Sequence, residues 1–364
     1  MAGYRSLRDI DWGLLLLALT IAALGTLQIY SATHASVWKS AWWKQCIYLS
    51  IGFLALWIIS SIDYHSLLGQ VPVLYIVSTI LLVVVLAFGT KVFGSRRWIP
   101  LVGGFHLQVS EFVKLVIILL VARYLAELKT DVVEGRDLLK LGGAVALPMA
   151  LVMKQPDLGT ALTYLPILAT GVLLAGLRWK FFVLILVLGL IGPIAAYHFV
   201  LKDYQRTRLV TFLNPGQDPR GAGYQVIQSQ IAVGSGGMWG RGVTRGTQTQ
   251  LRFLPVPHTD FIFAAFGEEH GFVGVVVVLG LYFLLLMQIV HNAQTAPDRA
   301  GMFICMGVAA LLLFHLLVNV GMVIGRMPVT GIPLPLMSAG GSSTLSIFMM
   351  LGLVLNVRLR RFTN

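Results

Sequence analysis

Long apolar runs alternate with short polar stretches along most of the chain. An α-helix rises about 1.5 Å per residue, so about 20 apolar residues span a bilayer. The fifth apolar run is short and contains Pro148, and the fourth begins within a polar stretch. We predict an all-α polytopic membrane protein, one domain over residues 1–364. The predicted spans are residues 12–31, 44–62, 70–89, 107–126, 141–154, 159–177, 181–200, 271–291, 302–324 and 342–357.

One large polar segment, residues 201–270, interrupts this pattern between spans seven and eight. Residues 224–233 (YQVIQSQIAV) predict a short helix at the membrane interface. Residues 234–242 are predicted to be irregular, because five of these nine are glycine. We expect the chemistry of the protein in this segment, because it is also basic. It carries seven of the 27 Lys and Arg residues: Lys202, Arg206, Arg208, Arg220, Arg241, Arg245 and Arg252.

The distribution of positive charge predicts the orientation. An even number of spans places both termini on one side, and the side with more Lys and Arg in its short loops is cytoplasmic. The side of the termini has twelve: Arg5, Arg8, Arg123, Lys129, Arg136, Lys140, Arg178, Lys180, Arg299, Arg358, Arg360 and Arg361. The other side has seven: Lys39, Lys44, Lys91, Arg96, Arg97, Lys154 and Arg326. We therefore predict cytoplasmic termini and an extracytoplasmic segment 201–270.

Composition narrows the class of protein and of partner. With 57% hydrophobic and 12% charged residues, and a mean hydropathy of +0.82, the chain is far from the roughly 25% charge of a soluble domain. A net charge of +12 favours anionic partners, either lipid headgroups or a phosphate-bearing substrate. No nucleotide-binding glycine motif is present, and we predict no nucleic-acid partner. Cys46 and Cys305 lie in apolar runs, so we expect buried thiols and no disulfide.

Asp260 is the first candidate for chemistry. It follows Pro255, Pro257 and His258 and precedes the apolar sequence FIFAAF. Partial burial raises the pKa of a carboxyl group and a neighbouring cation lowers it, so a carboxylate between these influences suits proton abstraction from a hydroxyl. The alternative is structural, with Thr259 or Asp260 capping the helix that follows.

Glu111 and Lys114 form a second candidate, on one face of the fourth span at i and i+3. Charged side chains at membrane depth are costly, so they are usually paired and often functional. Opposite charges at this spacing can satisfy each other. The alternative is a structural ion pair near the interface, with Ser110 as the N-cap residue.

Two carboxylate positions have structural explanations. Asp157 begins the sixth span and predicts an N-cap, with Thr160 three residues later. Glu268 and Glu269 flank a predicted helix start, where the helix dipole favours negative charge.

Four arginines are ambiguous between anchoring and anion binding. Arg96 and Arg97, followed by Trp98, are typical of interfacial anchors, but arginine forks also match phosphate oxygens. Arg206 and Arg208 are ambiguous in the same way.

Five motifs together resemble the SEDS family, the shape, elongation, division and sporulation proteins. They are SEFVK, QPDLGTA, GYQVIQSQIAVGSGGMWGRG, PHTDFIFAAFGEE and, from Asn319 to Ser343, NVGMVIGRMPVTGIPLPLMSAGGSS. Ten spans fit the family topology, and the match is strongest to the branch that serves cell-wall elongation and rod shape. Arg326 and Ala339 depart from the residues usual in the family.

The resemblance implies a peptidoglycan glycosyltransferase in the cytoplasmic membrane that polymerises lipid II. Asp260 is then the catalytic carboxylate, which takes the proton of the acceptor 4-hydroxyl. That oxygen attacks C1 of the donor sugar with inversion, forming a β-1,4 bond, and undecaprenyl diphosphate leaves. No ATP is needed, because the donor carries its own leaving group.

The resemblance also implies binding and supporting residues. Candidates for binding substrate or stabilising the diphosphate are Lys114, Glu111, Arg206, Arg208, Arg96, Arg97 and His258. Candidates for supporting roles are Asp157, Glu268, Ser338, Gly340 and Gly341. A divalent cation, Mg²⁺ or Mn²⁺, is expected to bind mainly through the diphosphate, because no protein metal cage is visible in the sequence.

The implied partners are lipid II, the undecaprenyl-linked glycan, a class B penicillin-binding protein and other proteins of the elongation complex. Three other functions remain open on sequence alone. They are a lipid II flippase, a non-catalytic scaffold that activates a penicillin-binding protein, and another lipid-diphosphate glycosyltransferase such as an O-antigen ligase. A flippase needs alternating access, usually between repeat-related halves, and we detect no repeat.

Overall fold

The computed structural model describes residues 9–34, 36–92, 95–100, 106–128, 130, 132–199, 206, 210–212, 214, 216 and 221–361. Its first nine helices are α1 (Trp12–Thr33), α2 (Ala41–Ser61), α3 (Tyr64–Gly69), α4 (Val71–Phe88), α5 (Val109–Ala126), α6 (Gly135–Lys154), α7 (Leu158–Leu162), α8 (Tyr164–Leu174) and α9 (Trp179–Phe199). The later helices are α10 (Ala222–Ser235), α11 (Thr247–Gln250), α12 (Ile262–Gln294), α13 (Arg299–Val323) and α14 (Gly341–Arg360).

Each predicted span overlaps a described helix, although several boundaries differ and one span is divided. The sixth span is broken at Thr163 into α7 and α8. Six described helices are long and apolar enough to cross a membrane: α1, α2, α4, α12, α13 and α14. A multi-pass helical membrane protein is thereby confirmed, and the count of ten spans stays a prediction.

A small antiparallel sheet stands between α4 and α5, where no strand was predicted. It has the order β1 (Thr90–Val92), β2 (Ser95–Pro100) and β3 (His106–Gln108). Trp98 lies opposite Thr90 on one side and Gln108 on the other. The fourth span was predicted to begin at residue 107, but α5 begins at Val109 because residues 106–108 pair with β2. This pairing joins segments that are separated in sequence, which periodicity within one segment does not reveal.

The buried centre of the bundle is formed by α13 and α14. The first packs against α5, α8 and α12, and the second against α2 and α5. By contrast, α4 and α9 expose many apolar side chains. Apolar surface on a helix that spans a membrane is solvated by lipid tails, so these two helices belong to the periphery.

Helix α12 is kinked at Gly271, whose φ of 65° favours glycine. The two residues after the kink donate N–H groups to the carbonyls of Gly237 and Met238, at 2.8 and 3.1 Å. In return, residues 241 and 242 donate to the carbonyls of residues 268 and 269, at 3.0 and 2.9 Å. The predicted start of the eighth span, residue 271, falls at this kink, and the boundary of the membrane span stays a prediction. The helix starts at Ile262, and the glycine-rich loop satisfies the backbone groups that the kink releases.

The short helix predicted at residues 224–233 is confirmed by α10. The hydroxyl of Ser229 donates to the carbonyl of Val323 at 2.9 Å, which seats α10 against the end of α13. The irregular segment that follows α10 covers the kink of α12.

Candidate functional site

A cavity of about 670 Å³ lies where the α12 start, the β-sheet and the α14 start meet. Its size is within the range of small-molecule binding sites. Residues far apart in sequence share its wall, including Asp260, His258, Arg97, Glu111, Asp157, Gly340, Gly341, Ser342 and Ser343. Seven of the predicted site residues therefore lie around one space.

The backbone around half-buried Asp260 is held at three consecutive carbonyl groups. The amide of Asn319 donates to the carbonyl of Asp260 at 3.0 Å, and the hydroxyl of Ser338 donates to that of Thr259 at 2.7 Å. The N–H of Ala339 donates to the carbonyl of His258 at 2.9 Å. The N-cap residue of α12 is Phe261, whose side chain makes no cap hydrogen bond, so neither Thr259 nor Asp260 stands at the N-cap position.

Glu111 and Lys114 form a buried ion pair. Nζ of Lys114 lies 2.7 Å from Oε1 of Glu111 and 3.4 Å from Nε2 of His315. Ser346 donates to the other carboxylate oxygen of Glu111 at 3.3 Å. Of the pair, only Glu111 lines the large cavity. Lys114 is not among the lining residues, so it influences the cavity through its ion pair with Glu111.

Asp157 is the N-cap residue of α7, as predicted, and accepts the N–H of Thr160 at 3.2 Å. Its carboxylate also accepts a hydrogen bond from Nε2 of Gln108 at 2.9 Å. Nη1 of Arg97 lies 3.4 Å from it in an ion pair that links the sheet to α7. This ion pair holds the Arg97 side chain at the cavity wall.

His258 is buried against Trp38, with ring centroids 5.4 Å apart. Burial lowers the pKa of its side chain to about 4. The imidazole is therefore neutral at physiological pH, and it can bind an anion as a hydrogen-bond donor but not as a cation.

Glu268 and Glu269 lie at the end of the first segment of α12, immediately before the kink at Gly271, so they flank the start of its second segment as predicted. Buried Glu268 accepts the N–H groups of Gln248 and Thr249 at 2.7 and 3.1 Å, and so caps the separate helix α11. Glu269 accepts a hydrogen bond from the hydroxyl of Ser31 at 2.6 Å. The pair holds α12 to α11 and α1.

Ser338 and Gly340 fix the entry to α14. The hydroxyl of Ser338 accepts the N–H of Leu334 at 2.8 Å, besides its bond to residue 259. The N–H of Gly340 donates to Oε1 of Gln45 at 3.2 Å. At Gly341, a Cβ atom would lie 2.4 Å from the ring of Tyr48, so only glycine permits this approach.

The remaining basic candidates are less well placed. Arg206 donates to the carbonyl of His198 at 3.0 Å, beside α9, and is not among the residues that line the cavity. Arg208 lies outside the described residues, and the side chain of Arg96 does too. Exposed Arg252, which was not selected from the sequence, does line the cavity. Its φ of 62° marks an uncommon backbone conformation, a signal that only the structure provides.

The departures from the family pattern fall at different distances from this site. Ala339 lines the cavity, whereas Arg326 is exposed and is not among the lining residues.

Within the described part of the chain, no group of three or more His, Cys, Asp or Glu side chains could hold a metal ion. The cavity carboxylates therefore do not form a metal cage of their own.

The chain is similar to known proteins over nearly its whole length. The chain is 35% identical to peptidoglycan glycosyltransferase RodA of Treponema pallidum, covering 98% of this chain and 99% of that protein. It is 38% identical to peptidoglycan glycosyltransferase MrdB of Escherichia coli, covering 97% and 94%. A solved peptidoglycan synthase complex that coordinates polymerization and crosslinking contains a chain with a TM-score of 0.83 and 36% identity, covering 98% and 99%. Residues 11–362 match the FtsW/RodA/SpoVE family of cell cycle proteins, and the chain belongs to that family.

Proposed function

We propose that this protein is a peptidoglycan glycosyltransferase that polymerises lipid II for cell-wall elongation. The observation that carries the proposal is the meeting of Asp260, Glu111 and Arg97 around one cavity of about 670 Å³. The named activity of the relatives that match nearly the whole chain supports it. The cavity unites a carboxylate, which suits a general base, with cationic groups, which suit a diphosphate.

In the proposed reaction, Asp260 accepts the proton of the 4-hydroxyl of the acceptor GlcNAc. The hydroxyl oxygen forms the β-1,4 bond to C1 of the donor MurNAc, and the bond from C1 to the diphosphate oxygen breaks. The electron pair leaves with undecaprenyl diphosphate, and the proton on Asp260 passes to solvent. The hydrogen bonds to the carbonyls of residues 258–260 support this role because they restrict the position of the carboxylate.

We assign the stabilisation of the developing diphosphate charge to Arg97 and Arg252, the two arginines on the cavity wall. Lys114 contributes by holding Glu111, which faces the cavity. Arg206, Arg208 and Arg96 stay further candidates for binding the diphosphate. A divalent cation, Mg²⁺ or Mn²⁺, would bind mainly through the diphosphate, with at most one or two cavity carboxylates, and would neutralise charge on the leaving diphosphate.

The proposed setting is the cytoplasmic membrane, with both termini in the cytoplasm and the cavity on the extracytoplasmic face. The proposed partner is a class B penicillin-binding protein, which cross-links the new strand. The similarity to a synthase complex that couples polymerization to crosslinking supports this partner. Other proteins of the elongation complex are expected to bind as well.

The test uses detergent-purified protein with labelled lipid II and Mg²⁺, with and without a class B penicillin-binding protein. Wild type and Asp260→Asn are compared by glycan length on gels, and thermal melting verifies that both are folded. Glycan ladders from wild type alone support the proposal. Equal ladders from both variants remove Asp260 from the mechanism. No polymer from either folded protein favours transport or scaffolding, because detergent abolishes the two sides that a flippase needs.

A further inference from the structure

His315 connects two parts of the cavity wall without lining the cavity itself. Its side chain is 2% exposed and belongs to α13. Nδ1 lies 3.1 Å from the carbonyl oxygen of Pro333, and Nε2 lies 3.4 Å from Nζ of Lys114. Pro333 lines the cavity, as does Glu111, the ion-pair partner of Lys114. His315 therefore reaches the cavity wall through both of its contacts.

The two contacts determine which ring nitrogen of His315 carries the proton. A carbonyl oxygen only accepts hydrogen bonds, so Nδ1 is protonated and donates to Pro333. An ammonium group only donates, so Nε2 is unprotonated and accepts from Lys114. A second proton on Nε2 would remove that acceptor and place two positive charges 3.4 Å apart. Neutral His315 with its proton on Nδ1 is therefore the form that makes both hydrogen bonds.

Lys114 has a second acceptor in His315, besides the carboxylate of Glu111. Its stem of four carbons is flexible, so each fixed partner limits the positions of the ammonium group. The gap that these three side chains line is too small for a water molecule, so solvent does not replace the imidazole as acceptor. Lys114 donates to Oε1 of Glu111 at 2.7 Å and Ser346 donates to Oε2 at 3.3 Å. Both oxygens of the Glu111 carboxylate are thereby held.

The same helix holds the segment that carries Asp260. Asn319 lies one turn after His315 on α13, about 6 Å along the axis at about 1.5 Å per residue. Its amide donates to the carbonyls of Asp260 and Ile332, at 3.0 and 2.8 Å. The carbonyls of Ile332 and Pro333 are thus bound by two side chains one turn apart. Helix α13 therefore sets the distance between the segment that carries Asp260 and the ion pair that His315 contacts.

We propose that His315 is a positioning residue for polymerisation, and that it sets the position of the Glu111 carboxylate in the cavity through Lys114. This inference rests on the proposed function and assigns to it a residue that does not touch the substrate. A positioning residue affects the geometry of the transition state more than the binding of substrate. Loss of the bond to Lys114 therefore lowers kcat for glycan synthesis and leaves KM for lipid II nearly unchanged.

The test compares His315→Gln with His315→Asn in detergent, with the penicillin-binding partner and a series of lipid II concentrations. The glutamine amide reaches the position of Nε2 and offers Lys114 an oxygen acceptor, whereas the asparagine amide reaches only Nδ1 and keeps the donor to Pro333. We expect His315→Gln to stay within about threefold of wild-type kcat and His315→Asn to fall about tenfold or more. KM should change less than about threefold in both, and melting temperatures should fall alike, because each variant keeps one hydrogen bond.

A spectroscopic measurement tests the contact without any activity. The chain has eight histidines, and the ¹⁵N resonances that disappear in His315→Gln or His315→Asn identify His315 in histidine-labelled protein. We expect Nδ1 to carry the proton and Nε2 to be unprotonated. In Lys114→Met, the Nε2 resonance should move while Nδ1 stays protonated, because only the acceptor loses its partner. A proton on Nε2 in the wild type, or an Nε2 resonance unchanged by Lys114→Met, overturns the inference.

The kinetic outcomes separate this inference from the proposed function. Wild-type kcat in His315→Asn, or equal losses of kcat in the two variants, overturns positioning through Lys114 but leaves polymerisation by the wild type standing. A rise in KM at unchanged kcat also overturns it, because the residue then serves substrate binding. A folded wild type that makes no glycan with its partner overturns the proposed function and this inference with it.

Discussion

Nδ2 of Asn319 joins two segments by donating to the carbonyl of Asp260 at 3.0 Å and to the carbonyl of Ile332 at 2.8 Å. Asn319 is fully buried within α13. The Asn319 side chain, in the most buried part of the bundle, thus fixes the segment that carries Asp260 relative to the loop that leads to α14. The position of the proposed base depends on a residue that does not itself line the cavity.

Replacing Asn319 with leucine keeps the approximate volume and removes both hydrogen bonds. We expect kcat for polymerisation to fall by up to about a hundredfold, since small displacements of a catalytic group have effects of this size. KM for lipid II should change less than threefold. Glycan synthesis in detergent as a function of lipid II concentration measures both constants.

Asn356→Leu is the matched control for Asn319→Leu. Asn356 is also fully buried, and its amide donates to the carbonyl of Ile59 at 2.7 Å and to that of Ile62, away from the cavity lining. Both variants should lower the melting temperature, but only the first should lower kcat. A similar loss of kcat in both would mean that general destabilisation, and not the position of Asp260, explains the result.

Lys114→Met leaves Glu111 as an uncompensated buried charge, and we expect the variant to lose about 3–5 kcal/mol of stability. The double variant Glu111→Gln with Lys114→Met removes both charges and should lose clearly less than the sum of the two single variants. Unfolding in detergent, followed for all four proteins, measures the coupling. Additive losses would contradict a direct interaction across the 2.7 Å pair.

Glu268→Gln replaces one acceptor oxygen with a donor that faces the N–H groups of Gln248 and Thr249. We expect α11 to open more readily, by about 1–3 kcal/mol, so its amides should exchange hydrogen about ten- to a hundredfold faster. Exchange followed by mass spectrometry on a peptide spanning α11 measures this. Glu127→Gln is the control, because the Glu127 carboxylate bonds to Arg123 of α5 instead, and faster exchange of α11 in both variants would contradict the specific cap.

His258 should make stability depend on pH between about 6.5 and 4. Its ordinary pKa of 6.5 is lowered to about 4 by burial, so the unfolded chain binds the proton first as pH falls. The stability present above pH 6.5 is therefore lost as pH falls towards 4. Between pH 7 and 5 we expect a loss of about 2 kcal/mol from this residue, from roughly 1.4 kcal/mol per pH unit over the 1.5 units below 6.5.

The measurement for His258 is thermal melting in detergent across this pH range, for wild type and His258→Phe. Other histidines titrate in both proteins, so the difference between the two curves isolates His258. The melting temperature of wild type should fall relative to that of His258→Phe as pH falls. Parallel curves would show that the His258 imidazole titrates as it does in the unfolded chain.

The sequence by itself determined the elements whose signal is local. Apolar runs of about 20 residues located the helices because a bilayer imposes that length on every spanning segment. The cap of Asp157 on α7 and the pairing of Glu111 with Lys114 were predictable too, because both depend on a spacing of three residues. The motif around Asp260 indicated a residue that lines the cavity.

Only the tertiary structure decided which residues share the cavity and which serve behind it. Arg252 and the start of α14 lie some 90 residues apart in sequence yet line one wall, and Lys114 is separated from that wall by its own partner. Glu268 caps a helix other than the one that contains it, and the kink at Gly271 is completed by a loop about 30 residues earlier. Each of these relationships is a contact between distant segments. Such contacts form only when the bundle has packed, so the periodicity and spacing of residues along the chain do not predict them.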